Sequence, residues 1–204
     1  MLNPQNKSRG VVICISGLTA SGKSTVARML AEKYGLKYYS GGQMLKEIAI
    51  NEGYSPGGED WWGTEEGKRF LKERFRNLDY DRKVDRMLIK KAEEGNVILD
   101  SWTMPWLLDY GFKIWIDASK EIRAKRLSGR NKVPFEEALR SLGEKDEATR
   151  KIYRTLYGID LGFDLSPFHV ILDNSNLNIE ETYEALRGVI DRIVFKGDVP
   201  AIKL

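Results

Sequence analysis

Two patterns of hydrophobic and polar residues follow one another repeatedly along this chain. Five short apolar runs are continuous rather than alternating in polarity, as expected for strands of a sheet covered on both faces. The runs occupy residues 11–16, 36–40, 97–100, 112–117 and 169–173. Between them, apolar residues recur three and four positions apart, which is the spacing of one helix face. The alternation predicts an α/β fold, a doubly wound five-stranded parallel sheet with helices on both faces.

Local signals mark the predicted helices. Asn178 can cap the last helix, and Glu181 completes a capping box. Its predicted buried stripe consists of Ile179, Tyr183, Leu186, Ile190 and Ile193. Two earlier helices carry apolar faces, one formed by Val26, Met29 and Leu30, the other by Val84, Met87, Leu88 and Ala92. Gly35 and Gly95 are placed to end these two helices.

Two segments interrupt the alternation of strands and helices. Residues 41–80 contain a Gly- and Pro-rich stretch followed by paired tryptophans, and residues 120–163 are helical and strongly charged. A doubly wound sheet has its ligand crevice at the carboxyl ends of its strands. We expect residues 1–204 to form one domain in which these two segments are flaps over that crevice.

The composition narrows the class of protein. Of 204 residues, 42% are hydrophobic and 31% are charged, which suits one compact domain and argues against disorder. The net charge is +3 with scattered basic residues, so nucleic acid is not an expected partner. Cys14 lies in an apolar run and is expected to be a buried structural residue. The oligomeric state, monomer or homodimer, is left open.

Membrane and secretory signals are not found in the sequence. No apolar run reaches the roughly 18 residues that a transmembrane helix needs. The first ten residues contain no apolar core of the kind that a secretory signal peptide requires. We therefore expect a cytoplasmic protein that does not act in a membrane.

A phosphate-binding motif follows the first predicted strand. The pattern G-x-x-x-x-G-K-[ST] is matched by Gly17, Leu18, Thr19, Ala20, Ser21, Gly22, Lys23 and Ser24, and Thr25 continues into the predicted helix. Backbone N–H groups of such a loop face an anion, and the helix N-terminus adds positive potential. Lys23 is expected to bridge the outer phosphates of ATP, and the Ser24 hydroxyl to hold Mg²⁺. The motif predicts a nucleotide site.

Acidic and basic side chains near the crevice are candidates for further roles. Asp100 ends the third strand beside the phosphate-binding loop, where its carboxylate can serve Mg²⁺ or cap a helix. The second flap carries Arg123, Arg126, Arg130, Arg150 and Arg154 at helical spacings. Guanidinium groups on a closing lid neutralise the charge that spreads over a transferring phosphoryl group. The alternative is a solvated, salt-bridged helix face.

Guanine specificity is not indicated. A GTPase carries an N-K-x-D guanine reader, and the pair Asn131-Lys132 is followed by Val133-Pro134 instead. A kinase is therefore favoured over a GTPase.

Several of these stretches together resemble the archaeal-type cytidylate kinases, a family of P-loop nucleoside-monophosphate kinases. They are the phosphate-binding loop and residues 35–42, 113–119, 126–130 and 157–160. The resemblance implies the strand order 2-3-1-4-5, an acceptor-binding flap at 41–80 and a helical lid at 120–163. The predicted catalytic residues are Lys23, Arg126, Arg130, Arg150 and Arg154.

The acceptor side departs from the resemblance. Family members usually carry an arginine at the position of Lys46, six residues after Ser40, to hold the acceptor's phosphate. They usually carry a second arginine at the position of Trp102, and Gln43 stands where an aspartate is common. Lysine keeps the charge but loses the bidentate fork, and tryptophan keeps neither. Ser40, Lys46, Asp100 and Trp102 are the predicted substrate-binding residues.

These observations predict an ATP-dependent phosphotransferase whose first candidate acceptor is the nucleotide CMP. Lys46 and Trp102 also motivate a kinase for a free nucleoside or another small metabolite. A third hypothesis is a nucleotide-binding regulatory or RNA-associated protein. His169 begins the last strand and is expected to be a hydrogen-bonded structural residue.

Overall fold

The predicted parallel sheet is present. The computed structural model of the protein describes residues 10–56 and 61–195; residues 57–60 of the predicted flap, the first nine residues and the tail after residue 195 lie outside the described part. The strands are β1 (Val12–Ser16), β2 (Lys37–Ser40), β3 (Val97–Asp100), β4 (Phe112–Asp117) and β5 (Val170–Asp173). They pair in the order β2-β3-β1-β4-β5. The fold class and strand order are therefore confirmed.

The register of the strands brings polar groups together at one edge. Every pairing is parallel, and Ser40 at the end of β2 stands opposite Asp100 at the end of β3. Asp100 in turn pairs with Ile15 near the end of β1. The carboxyl ends of three neighbouring strands thus meet where the phosphate-binding loop begins, as expected for a sheet of this order.

Helices cover both faces of this sheet. Their bounds are α1 (Lys23–Tyr34), α2 (Gly41–Asn51), α3 (Glu65–Arg76), α4 (Asp79–Glu94), α5 (Met104–Leu107), α6 (Lys120–Asn131), α7 (Phe135–Tyr157) and α8 (Ile179–Ile193). A 3₁₀ turn spans Trp61–Gly63. The flap segment thus contributes α2, α3 and the start of α4, and the lid segment contributes α6 and α7. None of the helices in the described ranges is long and apolar enough to cross a membrane.

Two apolar cores flank the sheet. One packs α1 and α8 against β1 and β4 through Leu30, Ile114 and Leu186, and the other packs α2 and α4 against β1 and β3 through Leu45 and Leu88. Large apolar side chains removed from water in this way supply most of the folding free energy. The flap segment is therefore anchored to the sheet through these cores, and a further cluster packs Ile152 and Tyr153 of the lid segment against Trp115 on β4.

The helix ends follow the predicted signals. Gly35 ends α1 in the left-handed conformation, and Asn178 and Glu181 form the predicted capping box of α8. One predicted member of the α8 stripe is wrong: Ile193 is 40% exposed. The chain leaves the helix at this point, and Val194 and Phe195 pack against the core instead. Met87 on α4 is also exposed, unlike the other three members of its predicted face.

Two structural interpretations from the sequence hold in the fold. Cys14 is fully buried, and desolvation raises the pKa of its thiol to about 12. His169 stacks on Phe112, and its Nδ1 accepts a hydrogen bond from the backbone N–H of Lys113 at 3.0 Å. Burial, together with the charge of Lys113, lowers the pKa of this imidazole. Both side chains therefore have the structural roles that the sequence predicts.

Candidate active site

The phosphate-binding loop has a backbone that leaves N–H groups at the start of α1 available. Ala20 and Gly22 have φ angles of 64° and 91°, so the chain turns through the left-handed region before the helix begins. Gly22 occupies the N-cap position of α1, and no side chain caps the helix there. The first N–H groups of a helix have no partner within it. These N–H groups, together with the positive end of the helix dipole, can therefore bind an anion.

Gly17 is required by the close approach of β4. Its φ is +153°, and a Cβ atom added there would lie 2.3 Å from the carbonyl oxygen of Ile116. That oxygen is backbone and cannot move away as a flexible side chain would. The first glycine of the motif is therefore fixed by packing as well as by conformation.

A single cavity of about 940 Å³ joins the loop to the flap and lid segments. Most of the predicted site residues line it: Thr19, Ala20, Gly22, Lys23, Ser24, Thr25, Ser40, Lys46, Asp100, Trp102, Arg126 and Arg130. The cavity lining does not include Gly17, Leu18 and Ser21. The Leu18 side chain packs in an apolar core. The backbone oxygen of Ser21 accepts a hydrogen bond from the side chain of Asn174. The predicted donor and acceptor residues therefore share one cavity.

Lys23 lines the cavity, and the charges around it act on its ammonium group. Burial lowers the pKa of its ammonium, while the carboxylates of Asp100 and Asp146 favour the charged form. Its Nζ lies 5.6 Å from the centroid of the Trp102 ring. An anion bound at the loop would favour the charged form further, as an opposite charge at close range does.

Asp100 is held at the sheet edge by an aromatic partner. Its side chain is 4% exposed, and its Oδ2 accepts a 2.8 Å hydrogen bond from the hydroxyl of Tyr38. Burial, and then the neighbouring carboxylate, raise the pKa of this tyrosine, so it remains a donor. The carboxylate is thereby oriented with one oxygen engaged, and the residue lines the cavity.

The lid arginines divide into three groups. Arg126 and Arg130 line the cavity, and Arg126 also donates to the side chain of Asn174 at 3.0 Å and to its backbone oxygen at 2.9 Å. Arg123 is buried and structural: it pairs with Asp146 at 2.7 Å and donates to the backbone oxygen of Thr19. This contact ties the lid to the phosphate-binding loop.

Arg150 and Arg154 lie away from the cavity lining. Arg150 donates to the backbone oxygen of Leu161, and Arg154 forms an ion pair with Asp160. Both contacts hold the turn that follows α7. A catalytic role for these two arginines stays a prediction, and it requires α7 to turn or move.

One prominent residue of the cavity was missed by sequence reasoning. Arg74 on α3 is 3% exposed and lines the cavity, where it forms a two-bond ion pair with Asp81 at 2.6 and 2.9 Å. Gly67 and Phe70 on the same helix are also buried, and the three residues follow one another at spacings of three and four, which places them on one face. An arginine at a position that continues a buried stripe was the available signal.

The fold and the cavity define a P-loop kinase for small molecules. A parallel sheet in the order 2-3-1-4-5 carries the phosphate-binding loop after β1, and two helical segments enclose the cavity in front of it. The profile of the cytidylate kinase-like family matches residues 12–176. The chain belongs to this family, and the predictions of a small-molecule kinase and of the resemblance are confirmed.

Curated relatives cover nearly the whole chain. A cytidylate kinase of Pyrobaculum islandicum is 40% identical over 185 residues, which are 90% of this chain and 92% of that protein. A cytidylate kinase of Methanopyrus kandleri is 35% identical over 202 residues, covering 94% of this chain and 98% of that protein. One from Pyrococcus horikoshii is 33% identical over 194 residues, 95% of each chain.

Solved structures share the fold at lower sequence identity. A shikimate kinase of Bacteroides thetaiotaomicron is 16% identical with a TM-score of 0.54, covering 89% of this chain and 98% of that one. A shikimate kinase of Aquifex aeolicus is 19% identical with a TM-score of 0.52, covering 92% of this chain and all of that one. These similarities support the fold alone.

Proposed function

We propose that this protein transfers the γ-phosphoryl group of ATP to a nucleoside monophosphate, with CMP as the acceptor. The observation that carries the proposal is one cavity in which Lys23 and the N-terminus of α1 face Ser40 and Lys46. Membership of a family whose curated relatives are cytidylate kinases supports the choice of acceptor. We place this activity in the cytoplasm, as expected for a small-molecule kinase that works on nucleotides.

The donor half of the proposed site binds the triphosphate. Backbone N–H groups at the start of α1 bind the phosphate oxygens, and Lys23 contacts the outer ones. Arg126 and Arg130, on the lid side of the cavity, neutralise charge on the transferring group. Positioning and electrostatic stabilisation supply the rate, and no covalent intermediate forms on the protein.

Ser24 and Asp100 are the residues that would hold Mg²⁺. A hydroxyl and a carboxylate are the hard oxygen donors that this ion prefers, and both line the cavity. Within the described ranges, no cluster of three or more acidic, histidine or cysteine side chains could hold a metal by itself. That suits Mg²⁺, which is usually bound by one or two protein groups together with phosphates. The ion would supply neutralisation of the phosphate charge.

The acceptor half of the proposed site lies between the flap and β3. Ser40 caps α2 through its hydroxyl, which accepts from the N–H of Gln43 at 3.4 Å, and Lys46 follows on the same helix. Trp102 supplies a flat ring beside Lys23 that can stack on a base. The acceptor's phosphate oxygen would then attack the γ-phosphorus in line with the departing ADP.

Product analysis tests this proposal. The protein is incubated with ATP, Mg²⁺ and each of CMP, UMP, AMP, cytidine and shikimate, and products are separated by chromatography. We expect CDP and ADP in equal amounts from CMP, and slower reaction with the other acceptors. Formation of ADP with no phosphorylated acceptor from any of them would contradict a kinase function.

A free nucleoside is the second candidate acceptor. Trp102 carries no charge at a position where relatives are expected to carry an arginine, which favours an acceptor without a phosphate. The same experiment separates the two candidates. Formation of CMP from cytidine, with no CDP from CMP, would replace the first candidate by the second.

A further inference from the structure

A buried arginine of the flap lines the cavity and takes no part in the mechanism proposed above. Arg74 is 3% exposed, and its Nε and Nη2 donate to the two carboxylate oxygens of Asp81, while Nη2 also reaches the Tyr153 hydroxyl at 3.2 Å. The described residues provide no hydrogen-bond acceptor for Nη1. The guanidinium is thus held on one side and can still donate from the other.

The surroundings of Arg74 keep it charged and fixed. Burial opposes the charge, but Tyr153 and Asp81 favour it, so the pKa of Arg74 is raised. Asp81 lies on α4 and Tyr153 on the lid helix α7, and the Tyr153 hydroxyl also donates to Asp81 at 3.0 Å. A flap helix, a sheet-covering helix and the lid therefore converge on one guanidinium.

Trp102 connects this arginine to the phosphate-binding loop. Its indole N–H donates to the backbone oxygen of Gly17 at 2.9 Å, which fixes the ring. Lys23 Nζ lies 5.6 Å from the ring centroid, and the guanidinium carbon of Arg74 lies 5.9 Å from it. The ring is therefore a close neighbour of both cations, Lys23 of the donor half and Arg74 of the flap.

The position of Trp102 is the one where relatives are expected to carry an arginine for the acceptor's phosphate. We propose that Arg74 binds the phosphate of the acceptor in this protein, in place of that arginine. The positive charge for this phosphate would then come from α3 rather than from the end of β3, and the Trp102 ring lies beside both Arg74 and Lys23. This inference rests on the proposed function and names the residue that distinguishes a nucleotide from a nucleoside.

The position and orientation of the Arg74 guanidinium suit it to bind a phosphate in the cavity. Arg74 lines the cavity from the flap, beside the Trp102 ring, and is oriented by the carboxylate of Asp81. A guanidinium held in this way loses little rotational freedom on binding, and its planar fork suits two phosphate oxygens. Lys46 and Lys145, which also line the cavity, add to the positive potential.

Binding titrations test the proposal. The donor site is first filled with Mg²⁺ and the non-hydrolysable ATP analogue β,γ-imido ATP, and CMP or cytidine is then titrated by calorimetry. In the unmodified protein we expect CMP to bind roughly 100-fold more tightly than cytidine, since a hydrogen-bonded charge is removed in the latter. In Arg74→Met we expect this ratio to fall to about 1–5, with cytidine affinity little changed.

Matched variants separate recognition from folding. Arg76→Met changes an exposed arginine of the same helix and should leave the ratio unchanged. Because Arg74→Met leaves Asp81 buried without its partner, the pair Arg74→Met/Asp81→Asn provides a neutral version of the site. Adding Trp102→Arg to that pair returns a cation to the family position, and we expect the CMP to cytidine ratio to recover at least about tenfold.

The outcomes for the two proposals are distinct. Failure of the unmodified protein to convert CMP to CDP would contradict the proposed function. An unchanged CMP to cytidine ratio in folded Arg74→Met, with melting temperature checked, would overturn the role of Arg74 even if CDP is formed. Equal binding of CMP and cytidine by the unmodified protein would also overturn it.

Discussion

The two halves of this cavity, which we propose bind the donor and the acceptor, are built differently. The donor half is a contiguous loop whose backbone is constrained by β4, by the N-terminus of α1 and by Asn174, and it keeps every residue of its motif. The acceptor half is assembled from side chains of separate elements, and Lys46 and Trp102 stand where the resemblance predicts arginines. A site made from backbone leaves few alternatives, whereas a site made from side chains can gain the same charge from a neighbouring helix.

The largest effect is expected from the donor lysine. Lys23→Ala removes the cation that contacts the outer phosphates in the proposed mechanism, and we expect kcat with any acceptor to fall about 10³-fold. The measurement is steady-state turnover with CMP and with the best alternative acceptor. Equal losses with both acceptors would place Lys23 in the donor half; a loss confined to one acceptor would contradict that division.

A smaller loss is expected from the carboxylate that ends β3. Asp100→Asn preserves a side-chain oxygen that can accept the Tyr38 hydrogen bond, so the fold should be retained. We expect kcat to fall roughly 10²-fold, with ATP affinity changed far less, because the charge is used in the transition state. Asp109→Asn, at an exposed position, is the control. Unchanged turnover in Asp100→Asn would remove this residue from the mechanism.

One glycine-to-alanine change should separate loop geometry from general stability. In Gly17→Ala the new methyl group would meet the Ile116 carbonyl oxygen at 2.3 Å, so the loop must shift. We expect the Kd for ATP to rise at least about tenfold, the effect of losing one charge-assisted hydrogen bond. Gly188→Ala, on α8 with nothing within 4 Å of the added atom, should leave binding unchanged and stabilise the protein by about 0.5–1 kcal/mol.

The smallest effect is expected from the ring between the two halves. Trp102→Phe keeps an aromatic surface but loses the 2.9 Å hydrogen bond to Gly17, which should cost about 1 kcal/mol of stability. Because both halves contact this ring, we expect KM for ATP and for CMP to rise together by about two- to fivefold. Thermal unfolding and steady-state kinetics provide the measurement. A change in KM for CMP alone would place Trp102 wholly in the acceptor half.

Sequence patterns predicted the sheet within one residue at each strand end. The three central strands, β1, β3 and β4, are continuous apolar runs that are buried on both faces, so their positions along the chain are evident from the sequence. The phosphate-binding loop was equally predictable, because its function depends on backbone conformation that glycines encode locally. Gly22 and Ala20 adopt the positive φ angles that such a loop needs.

Side-chain direction was less predictable. The spacing of Arg150 and Arg154 shows that they share a helix face, but spacing does not say where that face points, and both contact the turn after α7. Arg74 becomes part of the cavity only because α3 packs against α4 and α7, which sequence-local signals do not report. Contacts between elements distant in sequence therefore limited the prediction of the acceptor half.

Calorimetric titration of Mg²⁺ and ATP into the protein tests the central claim, that the loop before α1 and Lys23 enclose the outer phosphates of a nucleotide. We expect saturable binding at one site, with affinity reduced at least about tenfold in Lys23→Ala and unchanged in Gly188→Ala. No heat of binding with ATP or with GTP, from a protein whose melting transition shows it to be folded, would contradict the claim.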